Sequence, residues 1–238
     1  MFFYGYGLDG GYLLVIVAAI LSLMASAKVN STFKKYSNKH TARNITAERA
    51  ARSILDANGL HSVKIESISG NLTDHYDPKA NVIRLSDSVK NSTSVAAVGV
   101  AAHEAGHAVQ HAVGYTPIKV RNVLVPAANI GSSVGPYLII IGLLLSTASY
   151  FSEVLINVGI WFFALAVLFQ LVTLPVEFNA SRRAIKILSE EMYLESDEVP
   201  AVKKVLGAAA MTYVAAAAVS VANLLRFVLL AQNRRRRR

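Results

Sequence analysis

His103, Glu104 and His107 stand in the order His-Glu-x-x-His, inside a stretch from Ser94 to Val113 that is rich in Ala and Val and free of Pro. On a helix, residues four apart share a face, so the two imidazoles can grip one Zn²⁺ and Glu104 lies beside the water that such an ion would activate. The chemistry expected is metal-assisted hydrolysis. Two His and a Glu at this spacing also arise by chance in on the order of one chain of this length in a hundred, so the surroundings have to carry the argument.

A catalytic zinc takes three protein ligands and leaves a fourth place open. The chain has no cysteine, which excludes thiolate ligands, disulfides and a Cys nucleophile together. The metzincin solution, a further His six residues after His107, is missing because Val113 stands there and Gln110 replaces the Gly of that pattern. His111 shares the helical face, but three ligands at successive i+4 positions on one straight helix cannot converge on one ion. It reads as a neighbour of the ligands or a surface residue. A carboxylate from elsewhere is needed, and Glu177 is the best placed, just after an apolar hairpin and Pro175, where a new helix is expected to run to Ala184. The alternative for Glu177 is an acidic residue satisfying the positive N-terminal end of that helix. Glu190, Glu191, Glu195, Asp197 and Glu198 read as a solvated acidic face. His75, Tyr76 and Arg182 are candidate donors to an oxyanion, against plainer roles as turn residues and a surface arginine.

The elements that would position these groups are of two kinds. The 238 residues are 53% hydrophobic and 16% charged, too apolar for an ordinary soluble domain. Apart from Asp9 the first 27 residues carry no charge, and Asn122–Ser152, Val154–Val176 and Val205–Leu225 carry none, each long enough for a bilayer span. A cleaved export signal ending Ala25-Ser26-Ala27 is disfavoured because no positive residue precedes the apolar run. Lys28, Lys34, Lys35, Lys39 and Arg43 follow it instead, which places Lys28 onward in the cytoplasm of a multi-pass plasma-membrane protein. A second span is expected from about Val134 to Ala148 and a third over Trp161–Pro175, joined by the loop Ser149–Glu153. The Ala-rich segment Ala208–Ala218 is either a fourth span, favoured by its length, or a helix packed under the catalytic part. Arg234–Arg238 read as a solvated tail attracted to anionic lipid rather than to nucleic acid, because no aromatic or Gly-rich residues interleave. The net charge of +9 speaks mainly about membrane orientation.

Between Lys28 and Arg121 the pattern is that of a small α+β domain. Thr46 can cap a helix that Gly59 stops; Val63–Ser69 and Val82–Leu85 read as strands, and Leu72–Tyr76 as an extended run into the breaker Asp77-Pro78. Asn91, Ser92, Thr93 and Ser94 offer caps for the motif helix. Helix, small sheet and motif helix is the order of a zincin, whose sheet edge accepts substrate backbone as an added strand. The expected organisation is a transmembrane helix (1–27), a zincin-like domain (28–121), a transmembrane hairpin (122–176), a helix with the third ligand (177–204) and an apolar helix with a basic tail (205–238).

Four segments carry a resemblance: Ile54–Leu60, Leu72–Pro78, Val100–Ala108 and Leu174–Ala184. In order and spacing the chain resembles bacterial neutral zinc metallopeptidases of the YugP-like family, small membrane proteins related in motif order to HtpX-type proteases. The resemblance implies a mostly helical, membrane-embedded α+β fold with a gluzincin-like catalytic domain and three or four transmembrane helices. It implies His103, His107 and Glu177 as zinc ligands, Glu104 as catalytic carboxylate, Zn²⁺ as cofactor, and protein or peptide substrates. HtpX-type enzymes place Asp four residues after the ligand Glu; Ser181 stands there, which bears on the support of His103 rather than on the metal site. An intramembrane site-2-type protease would need the motif within a long span and a later acidic motif, whereas Leu8-Asp9-Gly10 precedes it. A non-catalytic membrane scaffold is the other rival, and it gives no reason for Glu104. Membrane-protein partners and a homo-oligomer stay open; a nucleic-acid partner is not expected.

Overall fold

The computed structural model describes residues 10–145, 150–190 and 194–236. Its elements run α1 (Gly10–Tyr36), α2 (Ala47–Ala57), β1 (Lys64–Ile68), β2 (His75–Asp77), β3 (Val82–Ser86), α3 (Val95–Ala112), α4 (Thr116–Leu144), α5 (Tyr150–Glu190) and α6 (Val199–Arg236). The chain divides into two compact units. One contains Ala25–Ile118 and Pro175–Thr212; the other contains the chain up to Met24, Lys119–Leu174 and Tyr213 onward.

In the first unit, local signals set the elements. The Thr46 hydroxyl accepts from the N–H of Arg49 and starts α2, and Gly59 beyond its end takes the left-handed φ of +72°. Ala47, Ala50, Ala51, Ile54 and Leu55 form the buried stripe of α2, the spacing of an amphipathic helix. The sheet has the order β1-β3-β2. Its central strand β3 runs parallel to β1, with Ile65 opposite Ile83, and antiparallel to β2, with Tyr76 opposite Ile83. Val82, Ile83 and Leu85 of β3 are buried, and because Val82 and Ile83 point to opposite faces, both faces of this central strand are covered there. Asp77 accepts from the N–H groups of Lys79 and Ala80 and pairs with Arg84, closing the turn after β2. The Ala80 N–H first, and then the Arg84 guanidinium, hold the Asp77 carboxyl below its ordinary range.

Of the four candidate caps for the motif helix, Ser94 takes the role: its hydroxyl accepts from the N–H of Ala97. The core of this unit gathers Ile54 and Leu55 of α2, Ile83 and Leu85 of β3, Val95, Val98 and Ala102 of α3, Ala184 and Leu188 of α5, and Val202 and Leu206 of α6. Glu198 departs from the solvated face that its acidic neighbours suggest. It is buried, and its carboxylate accepts from the N–H groups of Ala42 and Glu195, because orphan donors around the start of α6 need an acceptor. Glu190, Glu195 and Asp197 are exposed; Glu191 lies outside the described residues.

Helices α1, α4, α5 and α6 are each long and apolar enough to cross a membrane. They leave large apolar side chains bare, Leu23, Val123, Tyr137, Leu144 and Trp161 among them, more apolar surface than water tolerates on a monomer. Within the second unit the rings of Phe163 and Phe227 meet edge to face at 5.3 Å, and the Ser152 hydroxyl donates to the Gly142 carbonyl at 2.8 Å.

Three expectations about these helices change. The helix that carries the expected second span does not begin near Val134: α4 starts at Thr116 and runs through Pro126 and Pro136. Nor does a new helix start at Glu177, because α5 continues through Pro175 to Glu190. A Pro inside a helix costs about 3 kcal/mol, but ending the helix in apolar surroundings orphans about four N–H and four C=O groups at several kcal/mol each. The end of α6 is the third change. Arg234 is buried and donates to the carbonyls of Gly142 and Leu145 at the end of α4, and Arg235 pairs with Glu153 at 2.8 Å. Arg234 thus complements the C-terminal end of α4, whereas Arg235, though paired, and Arg236 are exposed. Arg237 and Arg238, Leu8 and Asp9, and Ser149 lie outside the described residues.

Candidate metal centre

Helix α3 carries His103, Glu104 and His107 on adjoining positions, and α5 brings Glu177 to them. Their approach depends on Gly106. A Cβ there would lie 2.9 Å from the main-chain oxygen of Ala180, so the two helix backbones come closer than any side chain would permit. Three residues before Ala180 on α5, Glu177 lies 3% exposed, its carboxylate oxygen 3.2 Å from His103 Nε2 and 3.5 Å from His107 Nε2. Deep inside α5, it cannot be satisfying a helix N-terminus.

The donor set of two imidazoles and one carboxylate is that of a His₂Glu catalytic zinc site. With bonds of about 2.0–2.1 Å, donor atoms on a tetrahedral zinc are about 3.3–3.4 Å apart. The two Nε2-to-carboxylate distances bracket that spacing, and all three ligand atoms lie within 4.8 Å of one another. The residues therefore fit the ion. A buried carboxylate between two imidazoles also calls for a cation. His107 shows the demand: burial works against its charged form, yet Glu177 and Glu104, with Gln110, hold its pKa above the ordinary value.

Each imidazole is oriented from behind. Gln110, fully buried, donates its amide N–H groups to the Val176 carbonyl at 2.8 Å and Asn179 Oδ1 at 2.9 Å. Its Oε1 is thereby turned to His107 Nδ1 at 3.0 Å. An amide oxygen only accepts, so His107 carries its proton on Nδ1 and presents the Nε2 lone pair to the centre. Asn179 is fixed in turn by the Arg183 Nε–H at 2.8 Å. His103 Nδ1 meets the Ser181 hydroxyl at 3.1 Å, so Ser181 stands behind His103 as a neutral partner.

Glu104 is buried, and its Oε2 accepts from the main-chain N–H of Tyr76 at 3.0 Å. That N–H lies on the side of β2 away from β3, so the outer sheet edge faces the motif helix. Tyr76 thus reaches the site through its backbone. Its hydroxyl bonds Asn81 Oδ1 at 3.2 Å, its ring meets His111 edge to face at 5.5 Å, and burial, then the Asp77 charge, raises its pKa. His75 points elsewhere, its Nδ1 2.9 Å from the Thr73 carbonyl and its Nε2 near Arg84. Arg182 is exposed and lines, with Ser181, Phe178 and Ile185, an open cleft of about 550 Å³.

Gln110 and Asn179 are the residues that sequence reading missed. Gln110 follows His107 by three, on the same helical face, and Asn179 follows Glu177 by two. An amide one turn beyond a ligand was the available signal.

Comparison with known proteins agrees with this geometry. Residues 11–232 match the family described as "Putative neutral zinc metallopeptidase". The "Putative membrane protease YugP" of Bacillus subtilis (strain 168) is 47% identical over 222 residues, 93% of this chain and 96% of that protein. No solved structure matches the chain. With nearly its whole length matched, the chain belongs to the family of zinc metallopeptidases so described.

Proposed function

We propose that the protein is a membrane-bound zinc metalloendopeptidase with a gluzincin-like catalytic unit on the cytoplasmic side of the plasma membrane. The observation that carries this reading is the group His103, His107 and Glu177, with ligand atoms within 4.8 Å of one another beside a buried Glu104.

His103, His107 and Glu177 would hold the ion. A zinc there supplies a Lewis acid that polarises the scissile carbonyl and brings the pKa of a water towards about 7. Glu104 does the proton work: with Oε2 held by the Tyr76 N–H, its other oxygen takes the proton of the attacking water and passes it to the leaving amine. Gln110 and Ser181 keep both Nε2 atoms aimed inward. Protein or peptide chains are the substrate class.

The bilayer assignment rests on the four apolar helices, and the orientation on Lys28, Lys34, Lys35, Lys39 and Arg43. Four spans place the C-terminus on the non-cytoplasmic side, against the charge bias. Capping of the α4 carbonyls by Arg234 and pairing of Arg235 with Glu153 lessen that conflict. The motif helix α3 is not among the helices that meet the length and hydropathy of a span, which disfavours the site-2-type alternative.

The test is cleavage of casein by detergent-purified protein. Chelation should abolish it and added Zn²⁺ restore it, and Glu177→Ala should bind substoichiometric zinc. Cleavage confined to transmembrane substrates would favour the site-2-type protease, and no cleavage with zinc bound would favour the scaffold.

A further inference from the structure

Within the unit that holds the metal group, but sharing no residue with it, α1 and α6 line a cavity of about 510 Å³ whose walls include Lys28, Thr32, Lys35, Tyr36, Lys204 and Met211. The first four fall at i, i+4, i+7 and i+8, one face of α1. No acidic residue lines the cavity. Among the described residues none of the three lysines meets a carboxylate, and Lys35 Nζ lies 5.6 Å from the centre of the Tyr36 ring. Thr32 is 8% exposed, lines the cavity, and its hydroxyl has no partner among the described residues. Three exposed lysines and an unmatched hydroxyl facing one open space make a positive patch that attracts an anion.

Position says which anion. Lys28 is the first charged residue after the apolar run of α1, and Lys204 the last before the charge-free run Val205–Leu225 of α6. Both mark the depth at which a hydrocarbon-compatible helix ends, where phosphate headgroups lie. Ala208 and Met211, one and two turns further along α6, line the same cavity with apolar surface.

We propose that this cavity binds the phosphodiester headgroup of an anionic phospholipid, with Lys28, Lys35 and Lys204 facing the phosphate, the Thr32 hydroxyl donating to it, and Ala208 and Met211 against the glycerol and first acyl carbons. A soluble phosphate shares the headgroup chemistry but leaves the apolar wall unused. The inference rests on α1 and α6 being membrane spans and not on hydrolysis, so it can fail while the peptidase reading stands.

The test is native mass spectrometry of the full chain, titrated separately with phosphatidylglycerol, phosphatidylcholine and sn-glycerol 3-phosphate. The protein should retain one phosphatidylglycerol in preference to phosphatidylcholine. Lys28→Gln/Lys204→Gln should lower its occupancy about tenfold or more, while Lys34→Gln, which removes an α1 charge outside the cavity, should leave it unchanged. Thr32→Val, which leaves every charge in place, should weaken retention too and carries the test if the double variant unfolds. Equal retention of phosphatidylcholine, full retention by the double variant or by Thr32→Val, or an equal loss in Lys34→Gln would overturn the proposal. Displacement of the lipid by equimolar sn-glycerol 3-phosphate would reassign the cavity to a soluble phosphate.

Discussion

Gln110 Oε1 accepts the Nδ1 proton of His107 at 3.0 Å while the Gln110 amide donates to two acceptors on α5. One buried side chain thus sets the tautomer of a candidate ligand on α3 and ties α3 to the helix that brings Glu177. Replacing it by Leu keeps the volume roughly constant but leaves the His107 Nδ1–H and Asn179 without it. Zinc affinity should fall about 10- to 100-fold, and stability by about 1–3 kcal/mol. Competition with a chromophoric chelator and thermal unfolding read the two effects; an affinity equal to wild type would contradict the orienting role.

Ser181 gives the complementary case at His103. Ser181→Ala removes the hydroxyl from Nδ1 and should weaken zinc binding by about tenfold, the low end for such partners. Ser181→Asp puts a carboxylate at the same place, makes the imidazole a stronger donor, and should retain zinc at least as well as wild type. Identical affinities in all three proteins would show that Ser181 does not act on His103.

Gly106 and Gly207 predict opposite signs for one substitution. Gly→Ala in an open helix position stabilises by up to about 1 kcal/mol, and Gly207 is such a position, with nothing within 4 Å of an added Cβ. At Gly106 the methyl group would press on the Ala180 carbonyl at 2.9 Å. Gly106→Ala should destabilise by about 1–3 kcal/mol and reduce zinc content, because α5 must retreat and Glu177 retreats with it. Chemical denaturation and metal analysis of both variants check the pair.

Local chemistry was the part legible in the residues. The caps at Thr46 and Ser94, the stop at Gly59 and the strands around Ile65 and Ile83 follow from a few neighbouring side chains each. So does the pairing of two imidazoles on α3. Glu177 could be picked out because a carboxylate at an apolar boundary needs a partner, although its place in the middle of α5 could not: Pro175 reads as a helix break when the apolar surroundings are left out. Glu198 and Arg234 look like members of solvated charge runs, and each is buried against backbone groups distant in sequence. The bonds from Gln110 to Val176 and Asn179 span more than sixty residues; no local pattern records them.

If Glu104 moves the proton in a reaction that the His103, His107 and Glu177 group supports, Glu104→Gln shows it most directly. Gln keeps the size of the side chain and an oxygen for the Tyr76 N–H, and touches none of the three ligands. Casein cleavage and zinc content should be measured on both proteins purified alike. Equal zinc is expected, with the variant's cleavage lowered by about 10²- to 10⁴-fold. A zinc-loaded variant that cuts casein at the wild-type rate would contradict it.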